Sequence, residues 1–279
     1  MSEANDMTRT ATRLASPAPS VDATRLIRAL AAMTFLQWLA ASLVLPLLPV
    51  YLQQRGGSDL LIGLAMGGFF VGALAAQYPL GRLSDRIAPR TLLLASVVGY
   101  ALATFGFLLP LDPTAMVGVR AVQGAMAGAT EVLALGMIGR TVPARRRPQG
   151  YAAIFAMQMA GLAVGPLLAG AVGGTQLTLL FTLAAGAASA ALLPLLGCRN
   201  DRSARLERRE HVPLPIMRQL RPVLIAAVIT GLTTGVYEAC WTLLLVHRDA
   251  TAWQIGLSWS LFCVPFVVVS AFAGPLIDR

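Results

Sequence analysis

The sequence predicts an all-α membrane protein, and three observations support that fold class. Of its 279 residues, 56% are hydrophobic and only 13% are charged, whereas about a quarter of the residues in soluble domains are charged. Eight apolar runs are each long enough to cross a bilayer as a helix. A pattern of residues also repeats without gaps at an offset of 193 positions, as from Gly81 to Gly274. Such a repeat indicates a duplicated set of membrane helices.

The apolar runs define eight predicted spans, which cover residues 28–50, 60–80, 91–110, 114–139, 150–172, 176–197, 222–246 and 254–274. The first run is too long for a signal-peptide core and lacks a convincing cleavage site, so we interpret it as a helix. Ser, Thr, Ala and Pro dominate residues 1–24, which predicts a disordered cytoplasmic tail. The long, arginine-rich segment 198–221 is interpreted as a cytoplasmic linker. It separates a six-helix bundle (25–197) from a second, partial set of two helices (222–279).

Arginine is distributed very unequally between the two sides of these spans. Of the 22 arginines, 19 lie in the tail, in the even-to-odd loops or after the last span. The opposite side has only Arg55 and Arg248, and Arg120 lies inside the fourth span. By the positive-inside rule, we expect a multi-pass protein of the cell membrane with a cytoplasmic N-terminus. The same asymmetry explains the net charge of +9 without a nucleic-acid partner.

Other classes of function lack their sequence signals. Neither disulfide nor metal-ligand spacing appears among Cys198, Cys240, Cys263, His211 and His247. No phosphate-binding G-x-x-x-x-G-K-[ST] motif is present, which argues against an ATP-driven pump. No nucleophile–base spacing is found either. We therefore expect no cofactor, no metal and no enzymatic activity.

The first motif follows the second span and reads Gly81-Arg-Leu-Ser-Asp85-Arg-Ile-Ala-Pro-Arg90. A second copy, Gly274-Pro-Leu-Ile-Asp278-Arg279, follows the eighth span. Glycine allows a tight turn at a helix end, and an aspartate can pair with arginines. A simpler alternative is that the arginines only hold the loop on the cytoplasmic side.

The second motif, Arg120-Ala-Val-Gln123-Gly124, lies inside the fourth span. A charge within a membrane is costly and usually faces an interior cavity. Because arginine does not lose its proton, Arg120 cannot carry protons itself, but it can bind an anion or stabilise a nearby carboxylate. The structural alternative is that its side chain extends to the near interface.

The third motif, Gly161-Leu-Ala-Val-Gly165-Pro166-Leu-Leu-Ala-Gly170, lies in the fifth span. Small residues four positions apart allow helices to approach closely. Pro166 removes a backbone hydrogen bond and can bend the helix. Ordinary packing of small residues remains the alternative.

Together the three motifs resemble those of the major facilitator superfamily (MFS), in particular its drug/proton antiporter-like branch. The corresponding family patterns are G-x-L-x-D-R-x-x-x-R, R-x-x-Q-G and G-x-x-x-G-P-x-x-x-G, and the resemblance covers nearly all of residues 25–279. Ala152 and Ala169 stand where the family often has glycine, which leaves a symporter open. The resemblance implies the MFS fold, here as a complete N-terminal six-helix bundle plus the first two helices of the C-terminal bundle.

The resemblance also implies a gating cluster that holds the two halves together in one state and releases them in another. Its members would be Gly81, Arg82, Asp85, Arg86, Arg90, Asp278 and Arg279.

Two carboxylates, Glu131 and Glu238, lie well inside predicted helices and are candidate functional residues. Eleven helical positions place Glu131 about 20° around the helix from Arg120 and about 16 Å along it, so both residues can line one cavity. Glu238 lies at a depth similar to that of Arg120. We hypothesise that Arg120, Gln123, Glu131 and Glu238 couple transport to protons and that Glu238 is the group that titrates. Hydrogen bonding between helices is the structural alternative for both glutamates.

Polar and aromatic residues in three spans are candidate substrate contacts, because such side chains suit apolar or cationic ligands. They are Gln37, Trp38, Gln158, Tyr237 and Trp241. Packing within the bundle or at the interface is their alternative role.

The function predicted from these features is secondary active transport, with proton-coupled efflux of small amphipathic molecules by alternating access. The expected partners are the lipid bilayer, a small-molecule substrate and protons. A proton symporter for sugars or organic anions remains an alternative. Because a duplicated six-helix set predicts twelve spans, we expect a fragment, a chain completed by another copy or partner, or a non-transporting remnant or sensor.

Overall fold

The computed structural model describes residues 23–172, 176–197 and 221–277, and nearly all of these residues are helical. The predicted tail and linker lie almost wholly outside the described residues, as do Asp278 and Arg279 of the second motif copy. The division into a six-helix bundle, a linker and a second set therefore stays a prediction.

Ten α-helices make up most of the described part of the chain. They are α1 (Ala23–Val44), α2 (Leu48–Gln54), α3 (Asp59–Leu83), α4 (Pro89–Phe105), α5 (Pro113–Thr141), α6 (Arg147–Val172), α7 (Leu177–Ala190), α8 (Leu193–Leu196), α9 (Arg221–Val246) and α10 (Ala252–Ile277). Two short 3-10 helices, Gly106–Leu108 and Ala144–Arg146, follow α4 and precede α6. The predicted spans correspond in order to α1 with α2, α3, α4, α5, α6, α7 with α8, α9 and α10.

The lengths of these helices suit a membrane. The six spans between Ala23 and Leu196 are long and apolar enough to cross one. Helices α9 and α10 have 26 residues each, which corresponds to about 39 Å of helix and exceeds the hydrocarbon thickness of about 30 Å. The predicted all-α membrane fold is confirmed.

Prolines interrupt two spans that the hydropathy pattern predicts as continuous. A turn that contains Pro46 ends α1, and α2 starts with Pro49 in its first turn. In the same way, α7 ends before a turn, and α8 starts with Pro194 in its first turn. Proline has no backbone N–H to donate, so it is tolerated at the start of a helix and disrupts the interior.

Glycines bring α3 and α5 into backbone contact. A methyl group at Gly124 would overlap the carbonyl oxygen of Phe69, and one at Gly72 would overlap that of Ala121. At Gly128, a methyl carbon would lie 2.7 Å from the carbonyl oxygen of Ala73. The contact therefore extends over two turns of α5 and holds these helices at a short interaxial distance.

Helices α9 and α10, which we call the second helix pair, pack on the first six spans at one end of the molecule. We call this end arginine-poor, because its loops carry only Arg55 and Arg248 among the described residues, and we call the opposite end arginine-rich. Ile255 and Trp259 of α10 belong to the hydrophobic cluster at the arginine-poor end. Helix α10 packs along α6, and α9 contacts α2 and α3. A separate cluster, formed by the first six spans, fills the arginine-rich end.

A methyl group at Gly124 tests the close packing of α3 against α5. We expect Gly124→Ala to lower the free energy of unfolding by about 1–3 kcal/mol, the usual cost of overpacking. Gly118→Ala on the same helix is the matched control, because Gly118 faces open space, and we expect it to be neutral or stabilising. Thermal unfolding in detergent measures both variants, and equal unfolding temperatures would contradict the packing.

Candidate functional site

Arg120 is buried at the contact between α3 and α5, where it is 1% exposed. Its Nη1 donates to Oε1 of Gln123 at 2.7 Å, and its Nε donates to the carbonyl oxygen of Ala65 at 3.4 Å. The guanidinium lies over the ring of Phe69, 4.6 Å from the centroid, in a cation–π arrangement. These contacts fix the arginine inside the bundle rather than at an interface.

A chain of hydrogen bonds starts at Gln123, the partner of Arg120, and runs through α4 to α1. Gln123 Nε2 donates to Oγ1 of Thr104 at 3.0 Å, and Thr104 Oγ1 donates to the carbonyl oxygen of Tyr100 at 2.8 Å. The Tyr100 hydroxyl in turn donates to the carbonyl oxygen of Gln37 at 3.3 Å. Gln123 thus orients Arg120, and the chain connects α5 through α4 to α1.

Glu238 on α9 approaches this arginine from the second helix pair. Their opposite charges are close enough to interact. Within the described residues, Nη2 of Arg120 and Oε2 of Glu238 are buried and have no hydrogen-bond partner. Buried polar atoms in this condition are uncommon and point to a functional role.

Aromatic rings pack around Tyr237, the residue that precedes Glu238. Tyr237 stacks on Trp241 and on Phe262, with centroid distances of 5.3 and 4.5 Å. The Trp241 indole donates to Oγ of Ser258 at 3.0 Å, and the Trp259 indole donates to Oγ1 of Thr242 at 3.1 Å. Tyr237 and Trp241 therefore form a wall that links α9 to α10, with both tryptophan N–H groups already satisfied.

A separate open cavity of about 480 Å³ lies between α5 and α6. Its lining brings together two predicted site residues from different spans, Glu131 and Gln158, with Leu135, Tyr151, Ile154 and Phe155. Among the described residues Arg120 does not contribute to this lining. Trp38 lies at the α1–α6 contact, where its Cβ is 3.1 Å from the position of a methyl carbon on Gly161.

The loop after α3, which holds most of the predicted gating cluster, makes its ion pair with a residue outside the motif. Asp85 Oδ1 lies 2.8 Å from Nη2 of Arg140 at the end of α5. Arg140 also donates to the carbonyl oxygen and to Oγ of Ser84. Arg82 lies over the Tyr78 ring, and Arg90 donates to the carbonyl oxygen of Leu195. The loop is thus tied to α5 and to α8.

The helix-bend motif contacts two helices on opposite sides of α6. Gly161 and Gly165 meet the backbone of α1, where Ser42 Oγ donates to the carbonyl oxygen of Gly161 at 2.8 Å. Gly170 and Pro166 meet α10 at Gly256, where a methyl group would overlap the Pro166 carbonyl oxygen. Helix α6 continues through Pro166. The motif therefore packs the first six spans against α10.

Comparison with known proteins identifies the family. The model of the Major Facilitator Superfamily matches residues 30–279. The chain belongs to the Major Facilitator Superfamily.

Two relatives of this superfamily member are a named transporter and a named resistance protein. An uncharacterised MFS-type transporter from Yersinia pestis (strain Pestoides F) is 24% identical over 236 residues, which are 84% of this chain and 61% of the relative. The quinolone resistance protein NorA from Staphylococcus aureus (strain MRSA252) is 26% identical over 138 residues, which are 49% of this chain and 35% of NorA. The chain thus spans about three fifths of the length of the Yersinia relative.

Solved structures share the fold of this chain. A bacterial homologue of the human lysosomal transporter Spinster, in an inward-facing and unoccupied conformation, matches with a TM-score of 0.67 and 14% identity. The match covers 90% of this chain and 60% of that one. The peptide transporter POT matches with a TM-score of 0.53 and 16% identity, over 76% of this chain and 46% of POT.

Several residues that contribute to the sites described above were not predicted from the sequence motifs. They are Phe69, Thr104, Arg140, Tyr151, Phe155, Gly256 and Phe262. The internal repeat contains one available signal, because it pairs Phe69 with Phe262. The Phe69 ring lies against Arg120, and the Phe262 ring stacks on Tyr237, the residue before Glu238. No local sequence pattern links Arg140 to Asp85 or Tyr151 to Glu131.

A methyl group at Gly256 tests the contact of α10 with α6. We expect Gly256→Ala to lower the free energy of unfolding by about 1–3 kcal/mol. We also expect a longer mean distance between spin labels at the exposed Leu168 and Leu261. Gly63→Ala, at the repeat-related position, is the control, because Gly63 faces open space. Unchanged distance and stability in Gly256→Ala would contradict the contact.

A double-mutant cycle tests the partner of Asp85. The Asp85 and Arg140 side chains are 42% and 25% exposed, so we expect a coupling of about 0.2–1 kcal/mol that weakens with salt. Unfolding of Asp85→Asn, Arg140→Gln and the double variant gives this value. The exposed Arg86, changed to Gln, is the control and should show no coupling. Stronger coupling to Arg86 than to Arg140 would refute the pairing.

Proposed function

We propose that this chain acts in secondary transport and moves small amphipathic molecules out of the cell in exchange for protons. One observation carries the proposal. Arg120 and Glu238, of opposite charge, approach each other from the first six spans and from α9, and each keeps one buried polar atom without a hydrogen-bond partner.

The proposed coupling follows from the chemistry of this pair. An ionised Glu238 is attracted to the fixed positive charge of Arg120, and a protonated one is not. Arginine keeps its charge at all physiological pH values, so Glu238 is the member of the pair that exchanges the proton. Proton binding thereby changes how strongly α9 is held against α3 and α5 and shifts the balance between two arrangements of the helix sets.

The distribution of contacts supports alternating access. Near the arginine-poor end, α6 and α10 are in backbone contact at Gly170 and Gly256. The cavity with Glu131 and Gln158 involves the other half of α6, toward the arginine-rich end. Rocking of α10 about its contact with α6 would close one end as the other opens. The Asp85–Arg140 network is the proposed contact that responds at the arginine-rich end.

The relatives support the direction and the substrate class. NorA is named for quinolone resistance, which favours export of drug-like amphipathic molecules over uptake of nutrients. The arginine asymmetry supports a cytoplasmic N-terminus in the plasma membrane. The proposal includes no catalytic step.

Transport by the purified full chain in proteoliposomes tests this proposal. With an acidic interior, we expect uptake of the quinolone norfloxacin above that of protein-free vesicles. Glu238→Gln should reduce this uptake to the protein-free level, because the neutral amide cannot exchange a proton. Binding of norfloxacin in detergent should persist in this variant.

Asp59→Asn is the matched control, since it removes one exposed carboxylate at the arginine-poor end of α3. This variant should transport at the wild-type rate. The coupling would be refuted by norfloxacin uptake in Glu238→Gln that keeps the wild-type dependence on the pH gradient. Uptake by the wild type no greater than in protein-free vesicles would refute the proposed efflux.

A further inference from the structure

We propose that Thr104 is a positioning residue for Arg120. Its hydroxyl determines which end of the Gln123 amide faces the Arg120 guanidinium. The guanidinium is thereby held with its Nη2 available to Glu238. This inference rests on the proposed function for its consequence in transport, whereas the geometry of the three side chains can be tested without transport.

The Thr104 hydroxyl can only accept a hydrogen bond from Gln123. Thr104 is fully buried, and its Oγ1 donates to the carbonyl oxygen of Tyr100, one turn earlier on α4, at 2.8 Å. A hydroxyl has a single hydrogen and two acceptor lone pairs. Because the Tyr100 carbonyl takes that hydrogen, the side of Oγ1 that faces Gln123 presents a lone pair.

This acceptor fixes the orientation of the Gln123 amide. The two ends of a glutamine amide are alike in shape, but one donates and the other accepts. Nε2 of Gln123 donates to Thr104 Oγ1 at 3.0 Å, which leaves Oε1 to accept from Nη1 of Arg120 at 2.7 Å. A flipped amide would place two acceptors together at Thr104 and two donors together at Arg120, and buried polar atoms left unpaired in this way are costly.

The orientation of the amide in turn holds the guanidinium. Residues of α3 contact the face and the Nε of Arg120, whereas Gln123 holds Nη1. Gln123 lies three positions from Arg120 on the same helix, so an anchor on another helix is needed to keep its side chain from rotating, and Thr104 supplies that anchor. Among the described residues Nη2 has no hydrogen-bond partner, and the charge of Glu238 acts on the same guanidinium.

The bond across the helix contact distinguishes Thr104 from other hydroxyls of α4. A hydroxyl that bonds to the preceding turn of its own helix is common and by itself indicates no further role. Ser96 on α4 is such a case, because its Oγ donates to the carbonyl oxygen of Leu92 at 2.9 Å. The Thr104 oxygen makes the same bond and also accepts from Gln123 on α5. It therefore joins two helices at the buried charge.

NMR of the purified full chain, labelled with nitrogen-15 at arginine, tests this geometry in detergent. The Arg120 Nε–H signal is assigned by its loss in Arg120→Lys. Thr104→Val keeps the shape of the side chain and removes the hydroxyl. We expect this variant to shift the Arg120 signal and to speed its hydrogen exchange about two- to tenfold, the factor that corresponds to one neutral hydrogen bond. Thr104→Ser should restore both wild-type values.

Thr34→Val is the matched control, because the buried Thr34 hydroxyl donates to the carbonyl oxygen of Leu30, four positions earlier on α1, at 2.9 Å. It should leave the Arg120 signal unchanged. The other arginine signals report intact folding, and Thr104→Ala replaces Thr104→Val if they also change. An unchanged Arg120 signal in the folded variant without the hydroxyl, or an equal change in Thr104→Ser, would overturn the inference.

Norfloxacin uptake in proteoliposomes then measures the consequence for coupling. Thr104→Val should lower the maximal rate of proton-driven uptake about two- to tenfold and leave norfloxacin binding in detergent unchanged. Thr104→Ser should transport at the wild-type rate. Weaker norfloxacin binding with an unchanged maximal rate would contradict the positioning role. Absence of uptake by the wild type, combined with the expected NMR response, would refute the proposed efflux and leave the positioning of Arg120 standing, so the two failures are distinguishable.

Discussion

The close approach of α3 and α5 is the constraint on which the buried charge depends. Gly72, Gly124 and Gly128 let the two backbones touch. Only at this separation can the Arg120 guanidinium reach the carbonyl oxygen of Ala65 and lie over the Phe69 ring. A membrane interior offers no water to solvate a cation, so these contacts from the neighbouring helix make its burial tolerable. Gly124 of the second motif thus permits the close helix packing that buries Arg120, which lies four positions earlier.

The internal repeat gives equivalent residues unequal surroundings. Ile62 and Ile255 are both buried in the cluster at the arginine-poor end. Gly63 faces open space, whereas Gly256 packs on the Pro166 carbonyl oxygen. Phe69 and Phe262 diverge in another way, because the first ring faces Arg120 and the second stacks on Tyr237. The two repeat-related helices therefore have different partners, since one phenylalanine lies against a cation and the other against a second aromatic ring.

Two glutamates in similar apolar helices obtain different chemistry from their neighbours. Glu238 lies near a fixed arginine, and Glu131 lies in an open cavity with aromatic rings. In a low-dielectric setting the nearest charge dominates the behaviour of a carboxylate. In the proposed mechanism Glu238 responds to protons, and α5, which carries both Arg120 and Glu131, connects its site to the cavity.

The helices and the family could be predicted from the amino-acid sequence alone, because both depend on local patterns. The predicted span 114–139 corresponds to Pro113–Thr141, and 60–80 corresponds to Asp59–Leu83. Hydropathy and motif spacing are properties of consecutive residues, so they can be read without the fold. The pairing of Asp85 with Arg140 could not be predicted in this way, and neither could the cavity that Glu131 shares with Tyr151 and Phe155. These contacts join different helices, and their geometry depends on helix rotation and close packing, which the apolar pattern of a single span leaves undetermined.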